Sequence, residues 1–215
     1  MATDQTKAKA AARPARAPRA PRGSRRDAIA DVAMGLFARN GFDRTSIRDI
    51  AAAAGLTKPA LYYHFQDKEA LYEHVLVERM NKLINSVRTA MAASDDPVEK
   101  IRAFLRDHSS RIDRERDQWL MSRQGFQSIS DPERRRRVTE LRDRFERILR
   151  DQIETAVEAG LLDRSADSAL VARMLLSSVN DIPRWLNPDG GLNTRDVALT
   201  YVDIALRGLG IGRQP

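Results

Sequence analysis

Apolar residues recur at helical spacing along almost the whole chain from Arg25 onward. The first such stretch predicts a helix over 24–39, and Asn40-Gly41 predicts its end because Asn and Gly are common just past a helix C-terminus. No stretch alternates between apolar and polar residues for long enough to predict a strand. The sequence therefore predicts an all-α protein of about nine helices.

Two short helices are predicted after the first. The tetrapeptide Ser-Ile-Arg-Asp at 46–49 matches a capping box and predicts the start of a helix that Gly55 ends. Another helix is predicted from Thr57 to about Phe65, with Pro59 in its first turn, where proline is well tolerated. These two helices and the glycine-containing turn between them predict a helix-turn-helix.

Longer helices are predicted over the remainder of the chain. Asp-Pro pairs and glycines separate them, since these residues commonly start or end helices. They comprise a helix from Lys68 to Met91, two apolar stripes between Pro97 and Phe126, a long helix from Pro132 to Gly160, and two helices over 166–186 and 194–209.

The composition excludes several classes of protein. The 215 residues suffice for one large or two small domains, and the apolar runs are far shorter than the roughly 18 residues that a membrane span needs. The absence of cysteine excludes disulfides, thiolate nucleophiles and Cys-bound metals. No nucleophile-elbow, HExxH or nucleotide-binding motif occurs. We therefore predict a cytoplasmic protein that is not an enzyme and has no metal or cofactor.

The positive charge is concentrated at the N-terminus. The chain has a net charge of +7, and residues 1–26 alone carry eight basic side chains and one acidic side chain. Because alanine and proline make up much of this segment, we predict a disordered basic arm over 1–24. Such an arm can follow DNA phosphates or enter the minor groove. The alternative is a solubility tail without defined contacts.

A helix-turn-helix suits DNA because the major groove, ~12 Å wide, admits one α-helix while the preceding helix lies across the backbone. Here the second helix, at 57–65, carries polar residues that could read base edges. Helical hairpins of this size also occur in proteins that do not bind DNA, so the spacing alone leaves the function open.

The segment 26–75 resembles the N-terminal domain of the TetR family of bacterial transcriptional regulators. This resemblance implies a DNA-binding domain over 25–70 and a helical effector-binding and dimerisation domain over 71–215. The residues and motifs that carry it, in the order and spacing of the family, are Phe37, Gly41-Phe42, Thr45-Ser46-Ile47, Asp49-Ile50-Ala51, Ala54-Gly55, Leu61-Tyr62-Tyr63-His64-Phe65 and Lys68-Glu69-Ala70-Leu71.

The predicted DNA contacts lie at two helix starts and along the second helix of the motif. The hydroxyl and backbone N–H groups of Thr45 and Ser46 could hold a phosphate at a helix N-terminus. A capping role alone also explains both residues, and the two roles are compatible. Lys58 could donate to a guanine edge or a phosphate, and the ring of Tyr62 could pack on a thymine methyl. The resemblance implies phosphate contacts for His64 and Lys68. The full predicted set is Thr45, Ser46, Thr57, Lys58, Ala60, Tyr62, Tyr63, His64 and Lys68.

The last two predicted helices carry more apolar surface than a monomer usually needs. In the TetR family the corresponding helices pair with a second subunit, which implies a homodimer that presents both recognition helices to a palindromic double-stranded DNA operator. The predicted interface residues are Leu170, Met174, Val202 and Leu209.

The resemblance also implies a small-molecule effector that binds among the helices after the fourth. Apolar stripes from several helices predict a pocket for an elongated apolar molecule with an anionic or polar end. The polar residues on or beside these stripes are His108, Arg111, Arg123, Asn180 and Arg184. The predicted pocket residues are Leu83, Val87, Phe104, His108, Trp119, Arg123, Phe126, Leu141, Phe145, Val179 and Arg184.

The end of the chain, over 180–209, is similar to that of TetR-family members that sense acyl-CoA thioesters, with Trp185 and Pro188-Asp189-Gly190 in common. This resemblance implies an acyl- or aryl-CoA thioester from lipid, steroid or aromatic catabolism as the effector. Arginines such as Arg123 or Arg184 would meet its phosphates. Two alternatives stay open: a multidrug-sensing repressor with an uncharged hydrophobic effector, and an architectural DNA-binding protein that needs no ligand.

Overall fold

The computed structural model describes residues 22–165 and 167–210, and the side chains of these except 22–24 and 121–124. This part of the chain forms nine α-helices and one 3-10 turn without a strand, which confirms the predicted all-α fold. No helix in these ranges is both long and apolar enough to cross a bilayer. Residues 1–21 of the predicted arm lie outside the described residues.

The helices are α1 Arg22–Asn40, α2 Ile47–Ala53, α3 Lys58–His64, α4 Lys68–Met91, α5 Pro97–Arg114, α6 Arg116–Gly125, α7 Pro132–Glu158, α8 Ser168–Trp185 and α9 Thr194–Gly208.

Side-chain caps explain why the predicted helix starts lie close to the observed ones. Ser46 and Asp49 form the predicted capping box, in which each side chain accepts a hydrogen bond from the backbone N–H of the other residue. Asp96, Asp131 and Asp167 cap α5, α7 and α8 through their carboxylates. The helix starts are therefore determined by local sequence.

Two predicted helix ends are left-handed turns at glycine. Gly41 follows α1 with a φ of 87°, and Gly55 follows α2 with a φ of 63°. A side chain with a Cβ rarely adopts this region, so glycine is suited to redirect the chain there. The turn at Gly55 sets the position of α3 relative to α2.

Two clusters of buried side chains hold the helices together. The first core packs α1, α2 and α3 against the start of α4, and it contains the rings of Phe37, Phe42 and Tyr72, with centroids 4.8 to 5.5 Å apart. The second core joins the end of α4 to α5, α7, α8 and α9. Because α4 contributes Tyr72 to the first core and Val87 to the second, the predicted boundary at 70/71 falls at the start of a helix that both cores share.

The start of α7 holds the loop that follows α3. Arg134 donates to both carboxylate oxygens of Asp67, at 2.7 and 2.9 Å, and this bidentate contact is the main reason that the pKa of Asp67 is lowered. Glu69 accepts a hydrogen bond from the hydroxyl of Ser130 at 2.7 Å, in the loop before α7. The start of α4 is thereby tied to α7, a helix that enters the second core.

Candidate DNA-binding surface and effector cavity

Helix α3 has a buried anchor and a polar, aromatic outer face. Leu61 and Phe65 are buried in the first core, which fixes the rotation of the helix about its axis. Tyr62 and Tyr63 are 44% and 66% exposed, and the exposed Lys58 places Nζ 5.6 Å from the ring centroid of Tyr62. The outer face of α3 thus exposes an amine and two phenols.

The starts of α2 and α3 lie beside this face. Thr57 caps α3 by accepting a hydrogen bond from the backbone N–H of Ala60 at 3.3 Å, and the hydroxyl of Ser46 donates to Asp49 at 2.7 Å. Both hydroxyls therefore have capping roles, while Thr57 and Ser46 remain exposed. Ser46, Asp49 and Lys58 line a shallow hollow between the two helix starts.

Three further predicted DNA contacts have intramolecular partners. Thr45 is fully buried, and its hydroxyl donates to the carbonyl oxygen of Gly41 at 2.8 Å. The predicted phosphate contact through this hydroxyl is therefore corrected: Thr45 fixes the turn after α1. The amine of Lys68 donates to the carbonyl oxygen of Phe42 at 2.9 Å. The ring of His64 packs edge-on against Tyr63.

A cavity of about 630 Å³ lies where α1 meets α4, α5, α6, α7 and α8. Ala30 and Met34 of α1 form one side of its wall, so the first core reaches the cavity directly. The apolar part of the wall includes Met80, Leu83, Trp119, Phe145 and Leu176.

Charged side chains form the polar part of this wall. Arg79 contacts Glu115 at 3.0 Å and donates to the side-chain oxygen of Gln118, and Arg111 contacts the same Glu115 at 3.2 Å. Burial is the main cause that lowers the pKa of Arg79, and the charge of Arg111 lowers it further. We call Arg79, Arg111 and Glu115 the arginine cluster.

The structure brings together three of the predicted pocket residues, Leu83, Trp119 and Phe145, at the cavity. Phe126 instead packs against the first core, with the guanidinium of Arg142 3.8 Å from its ring centroid. Arg184 is exposed and pairs with Asp181 at 3.3 Å, outside the cavity wall. The side chain of Arg123 lies outside the described residues.

The other predicted pocket residues lie in the second core or pack against it, because an amphipathic stripe is wider than the part of it that borders the cavity. Most of these residues are fully buried, and none of them borders the cavity. Their assignment to the cavity wall is therefore corrected; the residues concerned are Val87, Phe104, His108, Leu141 and Val179.

His108 lies in the core near the cavity wall. Its Nε2 lies 2.7 Å from the side-chain oxygen of Asn180, which is itself a wall residue, and burial lowers the pKa of His108 to about 4. The indole N–H of Trp119 donates to the backbone carbonyl of Asn180 at 3.3 Å. The ring of His108 also packs edge-on against the ring of Trp119, so a neutral imidazole contacts two wall residues.

Of the arginine cluster, Arg111 was among the polar residues predicted beside the pocket, whereas Arg79 and Glu115 were missed at the sequence level. Arg79 follows Val75 by four residues and precedes Leu83 by four, so it occupies a position on the buried stripe of α4. A charged residue at such a position was the available indication, because isolated charges are rarely buried without a partner or a function.

The predicted interface residues fall into two groups. Leu170 and Met174 of α8 are 63% and 50% exposed, and Ile204 of α9 is 64% exposed. Val202 is fully buried and Leu209 packs against the second core. This corrects the assignment of Val202, whose side chain faces inward and has no surface to offer a second subunit.

The fold and the two sites define a helix-turn-helix protein with a second helical domain that encloses a cavity. Residues 94–209 match the family of tetracyclin repressor-like C-terminal domains, and residues 29–75 match the bacterial regulatory proteins of the tetR family. The chain belongs to the TetR family of DNA-binding transcriptional regulators, which confirms the resemblance found in its sequence.

Relatives of known function and solved structure align along most of the chain. The transcriptional repressor KstR2 of Rhodococcus jostii is 29% identical over 185 residues, which are 86% of this chain and 91% of the relative. The TetR family regulator PfmR from Thermus thermophilus has a TM-score of 0.74 at 36% identity, with 84% of this chain and 98% of PfmR covered. AibR, solved with isovaleryl coenzyme A and operator DNA, has a TM-score of 0.72 at 27% identity, with 84% and 97% covered.

Proposed function

We propose that the protein is a ligand-released repressor that binds a palindromic operator as a dimer, with an acyl- or aryl-CoA thioester as its effector. One observation carries this proposal: the wall of the cavity includes Ala30 and Met34 of α1, which also belong to the core of the DNA-binding domain. A molecule in the cavity therefore contacts the DNA-binding domain itself.

This arrangement supports release from DNA by population shift. A ligand changes the equilibrium between two conformations only if it binds one of them more tightly. An occupant that touches α1 on one side and Leu176 of α8 on the other favours whichever placement of α1 best fits it. Since α3 packs with α1 in the first core, a shift of α1 changes the spacing of the two recognition helices in a dimer.

The cavity chemistry supports a thioester with an anionic nucleotide end. Its apolar wall suits an acyl or aryl group, and Lys82, Arg142 and Arg173 are exposed basic residues of the same wall. We propose these three for the phosphates in place of Arg184, which lies outside the wall, and the assignment of Arg123 stays a prediction. The isovaleryl coenzyme A in the AibR structure supports this choice by similarity.

The exposed apolar residues of α8 and α9 support the dimer. Leu170, Met174 and Ile204 are well exposed in the single chain, and their burial against a second copy would remove apolar surface from water. We expect the double variant Leu170→Glu, Met174→Glu to sediment as a monomer while its helical content is unchanged. A double variant that still sediments as a dimer would place the interface elsewhere.

The test of the effector is release of the protein from its operator. Operator DNA from the promoter region of its own gene is labelled, and fluorescence anisotropy is followed as octanoyl-CoA, phenylacetyl-CoA, the two free acids and an uncharged hydrophobic dye are added. We expect release by at least one thioester and not by the dye. Release by the dye alone would favour the multidrug sensor, and binding that no compound changes would favour the architectural protein.

A further inference from the structure

The arginine cluster holds two positive charges and one negative charge. Both guanidinium groups contact the single carboxylate of Glu115, Arg79 at 3.0 Å and Arg111 at 3.2 Å. Two more carboxylates are nearby: Glu78 lines the cavity, and Asp107 lies one turn before Arg111 on the same helix, outside the wall and with a buried Oδ2 that makes no hydrogen bond with any described residue. Within the described residues neither carboxylate comes within 4.0 Å of a guanidinium group of the cluster. The cluster therefore keeps a net charge of +1 on the cavity wall.

This imbalance distinguishes the cluster from the basic residues at the cavity edge. Lys82 lies 4.0 Å from Asp31, and Arg173 contacts Glu146 at 3.0 Å, so each of these has an acidic partner of its own. Their side chains are 57% and 68% exposed, whereas those of the arginine cluster are 20% to 29% exposed. Water can solvate the edge residues freely, but it reaches the cluster much less.

One donor of the cluster also lacks a partner. The Nε of Arg111 is buried and makes no hydrogen bond with any described residue. A buried donor without an acceptor costs free energy, and so does an unmatched buried charge. Both costs would be offset by one acceptor with a negative charge placed between the two guanidinium groups.

We propose that Arg79 and Arg111 bind a free carboxylate carried by the acyl part of the effector. A carboxylate matches the planar donor face of guanidinium and completes the charge balance at two positive and two negative. A thioester carbonyl could accept the hydrogen bonds but would leave the positive charge unmatched. The inference rests on the proposed function in taking the cavity as the effector site, and it narrows the thioester to the monothioester of a dicarboxylic acid.

The central test compares two thioesters of equal chain length. Octanedioyl-CoA ends in a carboxylate and octanoyl-CoA ends in a methyl group, and calorimetric titration gives the affinity of each. We expect octanedioyl-CoA to bind about tenfold more tightly or better, because its carboxylate makes charge-assisted hydrogen bonds that a methyl group cannot make. Equal affinities, or tighter binding of octanoyl-CoA, would overturn the proposal.

Three variants assign the preference to the cluster. Arg111→Gln should remove the preference for octanedioyl-CoA, whereas Arg173→Gln at the cavity edge should weaken both thioesters by the same factor. Arg106→Gln, on the same helix as Arg111 but exposed and outside the wall, should change neither affinity. A preference that survives Arg111→Gln would also overturn the proposal.

A second pair of probes separates this inference from the thioester assignment. Octanoate and octanol differ in charge and not in chain length, and neither contains CoA. One outcome is that no thioester binds, that octanoate raises the melting temperature more than octanol does, and that Arg111→Gln removes this difference. That outcome would support the carboxylate site and contradict the proposal that the effector is a thioester. If octanoate has no advantage and no thioester binds, both proposals fail.

A measurement without ligand distinguishes a binding role from a structural one. Arg111→Gln leaves the neutral pair Arg79–Glu115, so we expect its melting temperature to rise if the excess charge is kept for a ligand. Glu115→Gln leaves two guanidinium groups without a carboxylate, and its melting temperature should fall. A fall for Arg111→Gln would show that the cluster is structural and would overturn the proposal.

Discussion

The two halves of the molecule place their polar chemistry on opposite sides of their cores. In the DNA-binding half, Lys58, Tyr62 and Tyr63 lie outside a core that is closed by aromatic rings. In the C-terminal half, Arg79 and His108 lie inside, at the cavity wall and just behind it. A surface for a large polyanion needs exposed donors, whereas a site for a small molecule needs enclosed ones.

This difference has consequences for stability. Exposed polar residues cost little on folding, whereas buried ones cost desolvation that packing must offset. Substitutions on the outer face of α3 should therefore change DNA binding and leave unfolding unaltered. Substitutions inside the second core should change the free energy of unfolding first. The following predictions test that contrast, from the largest expected effect to the smallest.

The largest effect is expected in the second core. Phe104 is fully buried, and its ring centroid lies 4.7 Å from that of Phe145. Phe104→Ala should lower the free energy of unfolding by about 3–5 kcal/mol, because it removes buried area and leaves a cavity. Urea denaturation measures this, and Tyr63→Ala on the exposed face of α3 is the control, with an expected change within about 0.5 kcal/mol. If both variants lost the same free energy of unfolding, the proposed contrast between the second core and the exposed face of α3 would be wrong.

The second prediction concerns the pH dependence of stability. Burial lowers the pKa of His108 to about 4, below the value of about 6.5 expected in the unfolded chain. Between these values the unfolded state binds a proton that the folded state does not, so stability is lost as pH falls from 6.5 toward 4. The loss attributable to His108 should reach up to about 3 kcal/mol at the acid end.

His108→Gln provides the control for this titration. Its amide keeps a donor for Asn180, which His108 approaches at 2.7 Å, but it does not titrate. The free energy of unfolding, measured by urea denaturation at several pH values between 7 and 4.5, should therefore fall less steeply with pH for the variant than for the parent protein. If the free energy of unfolding falls equally steeply with pH in both proteins, groups other than His108 cause the acid sensitivity.

The third prediction moves to the DNA-binding surface. Lys58→Ala should weaken binding to the specific operator by ~1–3 kcal/mol and reduce discrimination against scrambled DNA, if the exposed Lys58 contacts base edges as we predict. Lys68→Ala should weaken binding to both DNAs alike. Because the amine of Lys68 also holds the carbonyl of Phe42, we expect this variant to be slightly less stable as well. Anisotropy titrations with both DNAs measure these effects.

Lys100→Ala, on α5 of the C-terminal half, is the matched control for these variants and should change neither affinity. An equal loss on operator and scrambled DNA for Lys58→Ala would instead place Lys58 among the phosphate contacts. Unfolding curves of Lys58→Ala should overlay those of the parent protein, because the side chain is exposed.

The same contrast explains what the sequence could predict. Helix starts and turns depend on neighbouring residues, so the capping box at Ser46 and the turn at Gly55 were predicted where they occur. The cavity depends on which part of each apolar stripe meets another helix. Phe104 and Phe145 have similar sequence patterns, yet only Phe145 borders the cavity. Local patterns contain no information on that pairing, so core and wall could not be separated.

Thr45 shows the same limit within the helix-turn-helix. Its position before a helix start is compatible with an exposed hydroxyl and with a buried one that bonds Gly41. The outcome depends on how α1 packs on the turn, which lies several residues away in sequence. The family resemblance identified the motif, but the contacts of this side chain follow from the packing.

The smallest effect is expected where the two halves meet, at the contact between Arg134 and Asp67. The side chain of Arg134 is mostly buried, but that of Asp67 is 45% exposed, so solvent screening limits the contribution of the pair. Arg134→Ala should lower the free energy of unfolding by about 1 kcal/mol. Arg136→Ala is the control on the same helix, because Arg136 is exposed and pairs only with exposed acids, and it should change stability by less than about 0.5 kcal/mol.

The pH dependence of this contact has a definite sign. The pKa of Asp67 is lowered in the folded state, so the contact stabilises the protein above the pKa of an unperturbed aspartate, about 4, and is lost as pH falls through the lowered value. The difference in the free energy of unfolding between the parent protein and Arg134→Ala should therefore be largest at pH 7 and smaller at pH 3. A difference that does not change with pH would show that Arg134 acts through packing of its side chain and not through its charge.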